Sequence, residues 1–88
     1  MKIFKYELQL KDDFSINVPK DSIILDIQYH SFKLVLWAII EQENELIERH
    51  FKIFGTGQNI NYSYGLLHIA TVQDPNNNLV WHIFEDER

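Results

Sequence analysis

The chain has 88 residues, of which 45% are hydrophobic and 14% are aromatic, and it has no cysteine. This length predicts a single domain over residues 1–88, because two domains would each be too small to hold a core. The absence of cysteine excludes a disulfide framework, a thiolate zinc site and a cysteine nucleophile. No apolar run is long enough for a membrane helix, and the alternation from Lys2 onward predicts no signal peptide, so we expect a cytoplasmic protein.

The charge balance disfavours a general nucleic-acid binder. Thirteen acidic and eight basic residues give a net charge of −5, and the basic residues are spread along the chain, whereas phosphate binding needs clustered lysines and arginines. Acidic side chains gather at Glu41, Glu43, Glu45 and Glu48. This group is either a solvated turn or an acidic patch that binds a basic partner protein.

The first half of the chain alternates apolar and polar residues with a period of two, which predicts strands. Residues 4–10 and 14–18 alternate on either side of a polar turn and are predicted to form a first hairpin. Residues 23–29 and 34–40 are the next two strands, joined by a tight connection at 30–33. The second of these is apolar on both faces, which favours a central strand or one that lines a closed or rolled sheet.

The second half predicts three more strands. Residues 46–54 alternate as a strand, although a helical turn over 43–50 is an alternative. The glycines of Gly55-Thr56-Gly57 end that element, and a loop over 58–65 leads to a last hairpin of residues 66–73 and 79–85. Together these patterns predict an all-β fold, a single small antiparallel barrel or rolled sheet of about seven short strands.

The last hairpin contains two histidines that are candidates for a binding site. If its turn has three residues, His82 pairs with Ala70 and lies diagonal to His68 on one face of the sheet. A metal site would need a third ligand such as His50, and no HxH or HExxH spacing is present. A small metal-dependent hydrolase built on His50, His68 and His82 is therefore kept only as an alternative function.

Gly55-Thr56-Gly57 is a candidate ligand loop, since glycines that adopt positive φ let successive N–H groups bind an anion. The structural alternative is a turn that leaves the sheet. Tyr62 and Tyr64 lie nearby in sequence and are candidates for stacking on a base, with Lys52 and Arg49 as the nearest cations. No serine lies in a G-x-S-x-G elbow and no paired-carboxylate pattern stands out, so we expect a binding protein rather than an enzyme, without a cofactor or resident metal.

Several segments, taken together, resemble a family of small proteins encoded by bacteriophages and prophages. The matching segments are MKIFKYEL at 1–8, INVPK at 16–20, IL at 24–25, LWA at 36–38, FKIFGTG at 51–57, AT at 70–71 and LVWHIFE at 79–85. Gln58 and Asn59 stand where that family commonly has histidine and proline. The resemblance implies a compact β fold and a phage accessory protein, with no implied activity.

This context suggests a non-catalytic protein that interferes with a host process, for example as a counter-defence inhibitor in the host cytoplasm. It would bind a host protein or sequester a nucleotide signal. A structural or morphogenetic phage component is another alternative. Because seven short strands leave little room for an enclosed pocket, we expect the site at a surface loop or between subunits of a homo-oligomer.

Overall fold

The computed structural model describes residues 1–88, and all of its regular elements are β-strands. The seven strands are β1 (Lys2–Glu7), β2 (Asp13–Pro19), β3 (Ile23–His30), β4 (Lys33–Ile40), β5 (Leu46–Gly55), β6 (Leu66–Asp74) and β7 (Leu79–Asp86). They form two antiparallel sheets, a three-stranded sheet in the order β1-β4-β3 and a four-stranded sheet in the order β2-β5-β7-β6. The predicted all-β fold of seven short strands is confirmed.

The two sheets enclose one hydrophobic core and do not close into a barrel. The largest fully buried side chains include Ile27 and Leu36 from the three-stranded sheet and Phe51, Val72 and Ile83 from the four-stranded sheet. Each sheet therefore has an inner face, packed on this core, and an outer face turned away from it. With principal extents of 40 × 33 × 16 Å, the molecule is thin, so its outer faces are a large part of its surface.

The hairpin of β3 and β4 forms as predicted. Ser31 and Phe32 make the two-residue connection, and both have positive φ, at 51° and 66°. Such a pair of values fits a type I′ turn, whose twist matches that of the flanking strands. β4 is the central strand of its sheet, as its apolar pattern indicates, and Leu36 and Ala38 face the core with no exposed surface.

The predicted first hairpin is wrong. β1 pairs with β4, whereas β2 pairs with β5, so the two strands lie in different sheets. The connection between them passes the core, where Leu8 is buried and its N–H donates to the carbonyl oxygen of Leu34 at 2.8 Å. Two half-buried strands can cover one core from opposite sides, and a period-two pattern does not distinguish this arrangement from a hairpin.

The strand interpretation of residues 46–54 is confirmed, with no helical turn over 43–50. In the last hairpin the loop has four residues rather than the three assumed, because Asp74 pairs with Leu79. Asp74 organises this loop: its carboxylate accepts from the Asn76 N–H at 2.8 Å, from Asn77 and from the Trp81 indole at 3.1 Å. These bonds, that from Asn76 foremost, lower the pKa of Asp74.

Candidate functional site

The outer face of the four-stranded sheet brings together most of the residues that the sequence singled out. Phe54 and Thr71 both lie directly opposite His82, while Lys52 and His68 lie opposite Phe84. Side chains opposite one another in an antiparallel pair point to the same face of the sheet. With Thr56 and Tyr62 from the loops, these residues other than Lys52, which lies at the edge, form what we call the polar–aromatic face. Its members are Phe54, Thr56, Tyr62, His68, Thr71, His82 and Phe84.

A chain of side-chain hydrogen bonds crosses this face. Thr56 Oγ1 lies 2.8 Å from His82 Nε2, Thr71 Oγ1 lies 3.1 Å from His82 Nδ1, and His68 Nε2 lies 2.9 Å from Thr71 Oγ1. Each ring nitrogen of His82 therefore has a threonine hydroxyl as its hydrogen-bond partner, and the two bonds fix the orientation of the ring. A neutral imidazole donates at one nitrogen and accepts at the other, so the tautomer of His82 decides which threonine hydroxyl donates to the ring and which accepts from it.

Beside the hydrogen-bond chain lies a group of aromatic rings centred on Phe84. The ring of Phe84 makes edge contacts with those of Phe54, Tyr62 and His68, at centroid distances of 5.8, 6.2 and 5.3 Å. Edge-to-face pairs of this kind are worth about 0.5–1.5 kcal/mol beyond the area that they bury. Since His68 belongs both to this group and to the hydrogen-bond chain, the apolar and polar halves of the face are held together.

A β-bulge decides which side chains of β6 reach this face. The register of β6 against β7 shifts between His68 and Ala70, so Ile69 is the extra residue. The bulge returns His68 to the same face as Thr71 and His82. The predicted pairing of His82 with Ala70 is thus wrong by one residue, because the loop is one residue longer than assumed. His68 and His82 still share one face, as predicted, with Thr71 between them.

The Gly55-Thr56-Gly57 segment is a structured turn. Gly57 has a φ of 91°, the Gln58 N–H donates to the Gly55 carbonyl oxygen at 3.1 Å, and the Gly55 N–H donates to Gln58 Oε1 at 3.0 Å. The turn positions Thr56 against His82. With the Gly55 N–H already bonded and only one of the two glycines at positive φ, an anion cradle here stays a prediction.

Lys52 lies at the end of the face nearest β2, within a charged cavity. It forms an ion pair with Asp13, and Asp86 next to it is bonded by Arg88. The Arg88 side chain and N–H lower the pKa of Asp86 to about 2. Arg88 also donates to Asn61 and Ser63 and so anchors the loop that contains Tyr62. The cavity has a volume of about 520 Å³, and each cation on its wall has an acidic partner.

Arg49 and Tyr64, both predicted site residues, lie away from the polar–aromatic face. The guanidinium of Arg49 forms a bidentate pair with the buried carboxylate of Glu85 at 2.6 and 2.7 Å and also donates to the carbonyl oxygen of Ser22. Its hydrogen bond to Glu85 raises the pKa of Arg49. Arg49 thus neutralises an interior carboxylate, whereas Tyr64 is fully exposed and makes no ring contact.

The four acidic residues of the predicted partner patch have different surroundings. Glu41 binds the N-terminal ammonium at 2.8 Å, and Glu48 lies 3.3 Å from His50 Nε2 and accepts a long bond from Ser15. Glu43 and Glu45 are exposed at the turn before β5. Glu43 and Glu45 are therefore the two of these four acids that have no ion-pair partner within the chain, and the acidic partner patch stays a prediction.

The three histidines of the alternative hydrolase do not converge. His50 lies opposite Ser15 on β5, four residues from Phe54. Phe54 is the residue opposite His82, so His50 lies about 13 Å along the strand direction from His82. The chain contains no group of three His, Asp or Glu side chains in an arrangement suited to a metal ion. His68 and His82 bond to threonines instead.

Sequence reasoning missed Phe54, Thr71 and Phe84 as members of the face. Phe84 follows His82 by two residues and Phe54 follows Lys52 by two, so strand alternation alone was enough to place both on the outer face. Thr71 was not recognisable in the same way, because its position opposite His82 depends on the loop length.

These features define a small antiparallel two-sheet protein with an open, hydrogen-bonded surface rather than an enclosed pocket. The chain belongs to the family described as domain of unknown function (DUF7352), which matches residues 1–88. No curated protein and no solved structure matches the chain. It has no helix of the length and apolar character needed to cross a membrane.

Proposed function

We propose that this protein is a non-catalytic binding protein that docks on a host protein through the polar–aromatic face. The observation that supports this most is the hydrogen-bond chain from Thr56 through His82 and Thr71 to His68, because it joins a turn and two strands at an exposed surface. A surface that is already ordered loses less conformational entropy when a partner binds. Aromatic residues such as Tyr62 are also enriched where proteins contact one another.

A protein partner fits this surface better than a small molecule does. Small-molecule sites are concave and mostly apolar, whereas the cavity beside Lys52 is lined mainly by charged and polar side chains. Its charges are already paired, Lys52 with Asp13 and Arg88 with Asp86. An incoming anion would have to compete with these carboxylates.

The biological context of the proposal is interference with a host process, such as antiviral defence, by a phage-encoded protein in the bacterial cytoplasm. The resemblance of the segments at 1–8, 51–57 and 79–85 to small phage and prophage proteins supports this context. The hydrogen-bond chain and the aromatic rings support a binding surface here, whatever the source of the polypeptide.

Sequestration of a nucleotide signal is a second candidate, favoured by one specific observation. Lys52 lies directly opposite Phe84, and Tyr62 packs against the same ring. The Lys52 ammonium group is therefore carried next to aromatic rings on which a nucleotide base can stack. A phosphate would have to displace Asp13 from Lys52, which weakens this candidate relative to a protein partner.

Affinity capture from a bacterial host lysate, followed by mass spectrometry of proteins and small molecules, tests the proposal. We expect the wild-type chain and the control Tyr64→Ala to capture the same host protein, and the double variant Tyr62→Ala/His68→Ala to lose it. Retention of that protein by the folded double variant would contradict the proposal.

Calorimetry with a panel of cyclic nucleotides separates the two candidates. Heat of binding that disappears in the double variant would favour nucleotide sequestration over a protein partner. No heat across the panel at micromolar protein would rule the nucleotide candidate out.

A further inference from the structure

The outer face of the three-stranded sheet carries a row of isoleucines that no part of the chain covers. Ile3 and Ile23 both lie opposite Ile39, so the three side chains stand next to one another across all three strands. Ile3 is 63% exposed and Ile23 is 54% exposed. An outer sheet face that meets only water is normally polar, so this row indicates a contact with another molecule.

The next row along the strands has charges of opposite sign on its two sides. Lys5 on β1 and Asp26 on β3 both lie opposite Trp37 on β4. Lys5 is in no ion pair within the chain, and Asp26 accepts hydrogen bonds only from the Ile27 N–H and from Gln28. We call these two rows together, Ile3, Ile39 and Ile23 with Lys5, Trp37 and Asp26, the isoleucine face.

This pattern is complementary to itself under one particular two-fold rotation. An axis that lies in the interface and runs parallel to β4 places β1 of one copy over β3 of the other. Lys5 then faces Asp26 of the second copy, and the same pair forms again on the other side of the axis, as an isologous contact requires. An axis across the strands and centred on Trp37 would instead bring Lys5 against Lys5 and Asp26 against Asp26.

We propose that a second copy of this chain docks on the isoleucine face about a two-fold axis parallel to β4, with two reciprocal Lys5–Asp26 pairs. Ile39 and Trp37 meet their own counterparts at the centre, and Ile3 packs on Ile23 of the other copy. Sheets pack about 10 Å apart, a separation that lysine and aspartate side chains span together.

The size of the face sets the strength expected of this dimer. Three strands about 4.8 Å apart and six residues long give a face of about 14 × 20 Å. That is below the roughly 800 Å² per partner that a standard stable interface buries. The dimer is therefore expected to form reversibly, and it has to be sought from micromolar to near-millimolar protein.

Sedimentation velocity over that concentration range tests the proposal with charge reversals. Lys5→Glu and Asp26→Lys each place like charges in contact within their own homodimers, so each is expected to weaken association at least about tenfold. Their equimolar mixture restores attraction in both pairs, so we expect a heterodimer as tight as the wild-type dimer. Lys11→Glu, the same reversal in an exposed turn, serves as the control and should leave association unchanged.

The register of β3 against β4 shifts between Ile24 and Asp26, so a second pair of variants keeps the test valid if Asp26→Lys disturbs this bulge. Ile3→Lys and Ile23→Glu change exposed side chains, so both should fold, remain monomeric alone and associate when mixed. Wild-type protein that stays monomeric throughout would overturn the proposal and leave the face to a different macromolecule. Mixtures that fail to associate while the wild type dimerises would also overturn it, since they would exclude this axis.

Discussion

The outer faces of the two sheets differ in how their side chains are held. On the polar–aromatic face, His82 and its neighbours bond to one another, so the chain itself satisfies them. On the isoleucine face, Ile3 and Ile23 protrude into solvent and Lys5 has no acidic partner within the chain. Side chains that bond to one another give the first face a fixed shape, whereas the exposed apolar side chains of the second are the kind of surface that marks interaction sites.

The largest expected effect concerns the ion pair between Arg49 and Glu85. Breaking this pair tests whether Arg49 has a structural role or is free to bind a ligand. Glu85→Gln removes the charge that compensates Arg49 and should lower the free energy of unfolding by about 3 kcal/mol, because a largely buried cation is left unpaired. Chemical denaturation measures this, with the exposed Glu87→Gln as the control. Equal losses in the two variants would show that Arg49 is solvated, which would return it to the candidate ligand residues.

Matched truncations on the two outer faces come next and test the comparison directly. Phe84→Ala removes three ring contacts and should cost about 2 kcal/mol. Ile23→Ala on the isoleucine face should cost the dilute monomer less than about 1 kcal/mol, since its side chain is half exposed. Denaturation at a concentration where sedimentation finds monomer gives both values. If the isoleucine variant lost as much as the phenylalanine variant, the isoleucine row would be part of the fold rather than a free face.

The turn that holds Thr56 against His82 should show a smaller effect. Gly57 has a φ of 91° and nothing within 4 Å of an added Cβ, so Gly57→Ala strains the backbone alone. We expect a loss of about 1 kcal/mol, together with altered NMR signals of the His82 ring. Gly55→Ala serves as a contrast, since its Cβ would meet the Trp81 ring at 3.3 Å with an ordinary φ. Unchanged His82 signals in a destabilised Gly57→Ala would show that the turn does not orient the histidine.

The smallest expected effect is a pH dependence at the edge of the polar–aromatic face. The pKa of Asp86 is lowered from 3.8 to about 2 by Arg88, so this carboxylate stabilises the fold above about pH 4 and loses that contribution as the pH falls toward 2. Asp86→Asn should therefore lose less stability than the wild type between pH 4 and pH 2 in urea titrations. Asp12→Asn, in an exposed turn, should follow the wild type. Identical curves for wild type and Asp86→Asn would mean that Arg88 does not hold this carboxylate.

The candidate site was partly predictable because alternation along a strand is local. The positions of His82 and Lys52 on outward-facing residues followed from the period of two, and so did the alternation of Trp81 and Ile83 toward the core. Arg49 shows the limit of this reasoning. Its alternation with His50 places it on an inner face, but the carboxylate that neutralises it comes from β7, far along the chain.

The sequence by itself determined that this protein consists of seven short strands without a helix, because each residue's burial alternates with its neighbours and turn residues punctuate the pattern. Only the tertiary structure decided that β1 and β2 lie in different sheets, that a bulge turns His68 toward His82, and that Lys5 and Asp26 flank Trp37. These features depend on which distant strands share hydrogen bonds and in which register. Pairing of that kind is selected by the packing of the whole core, and no local pattern specifies it.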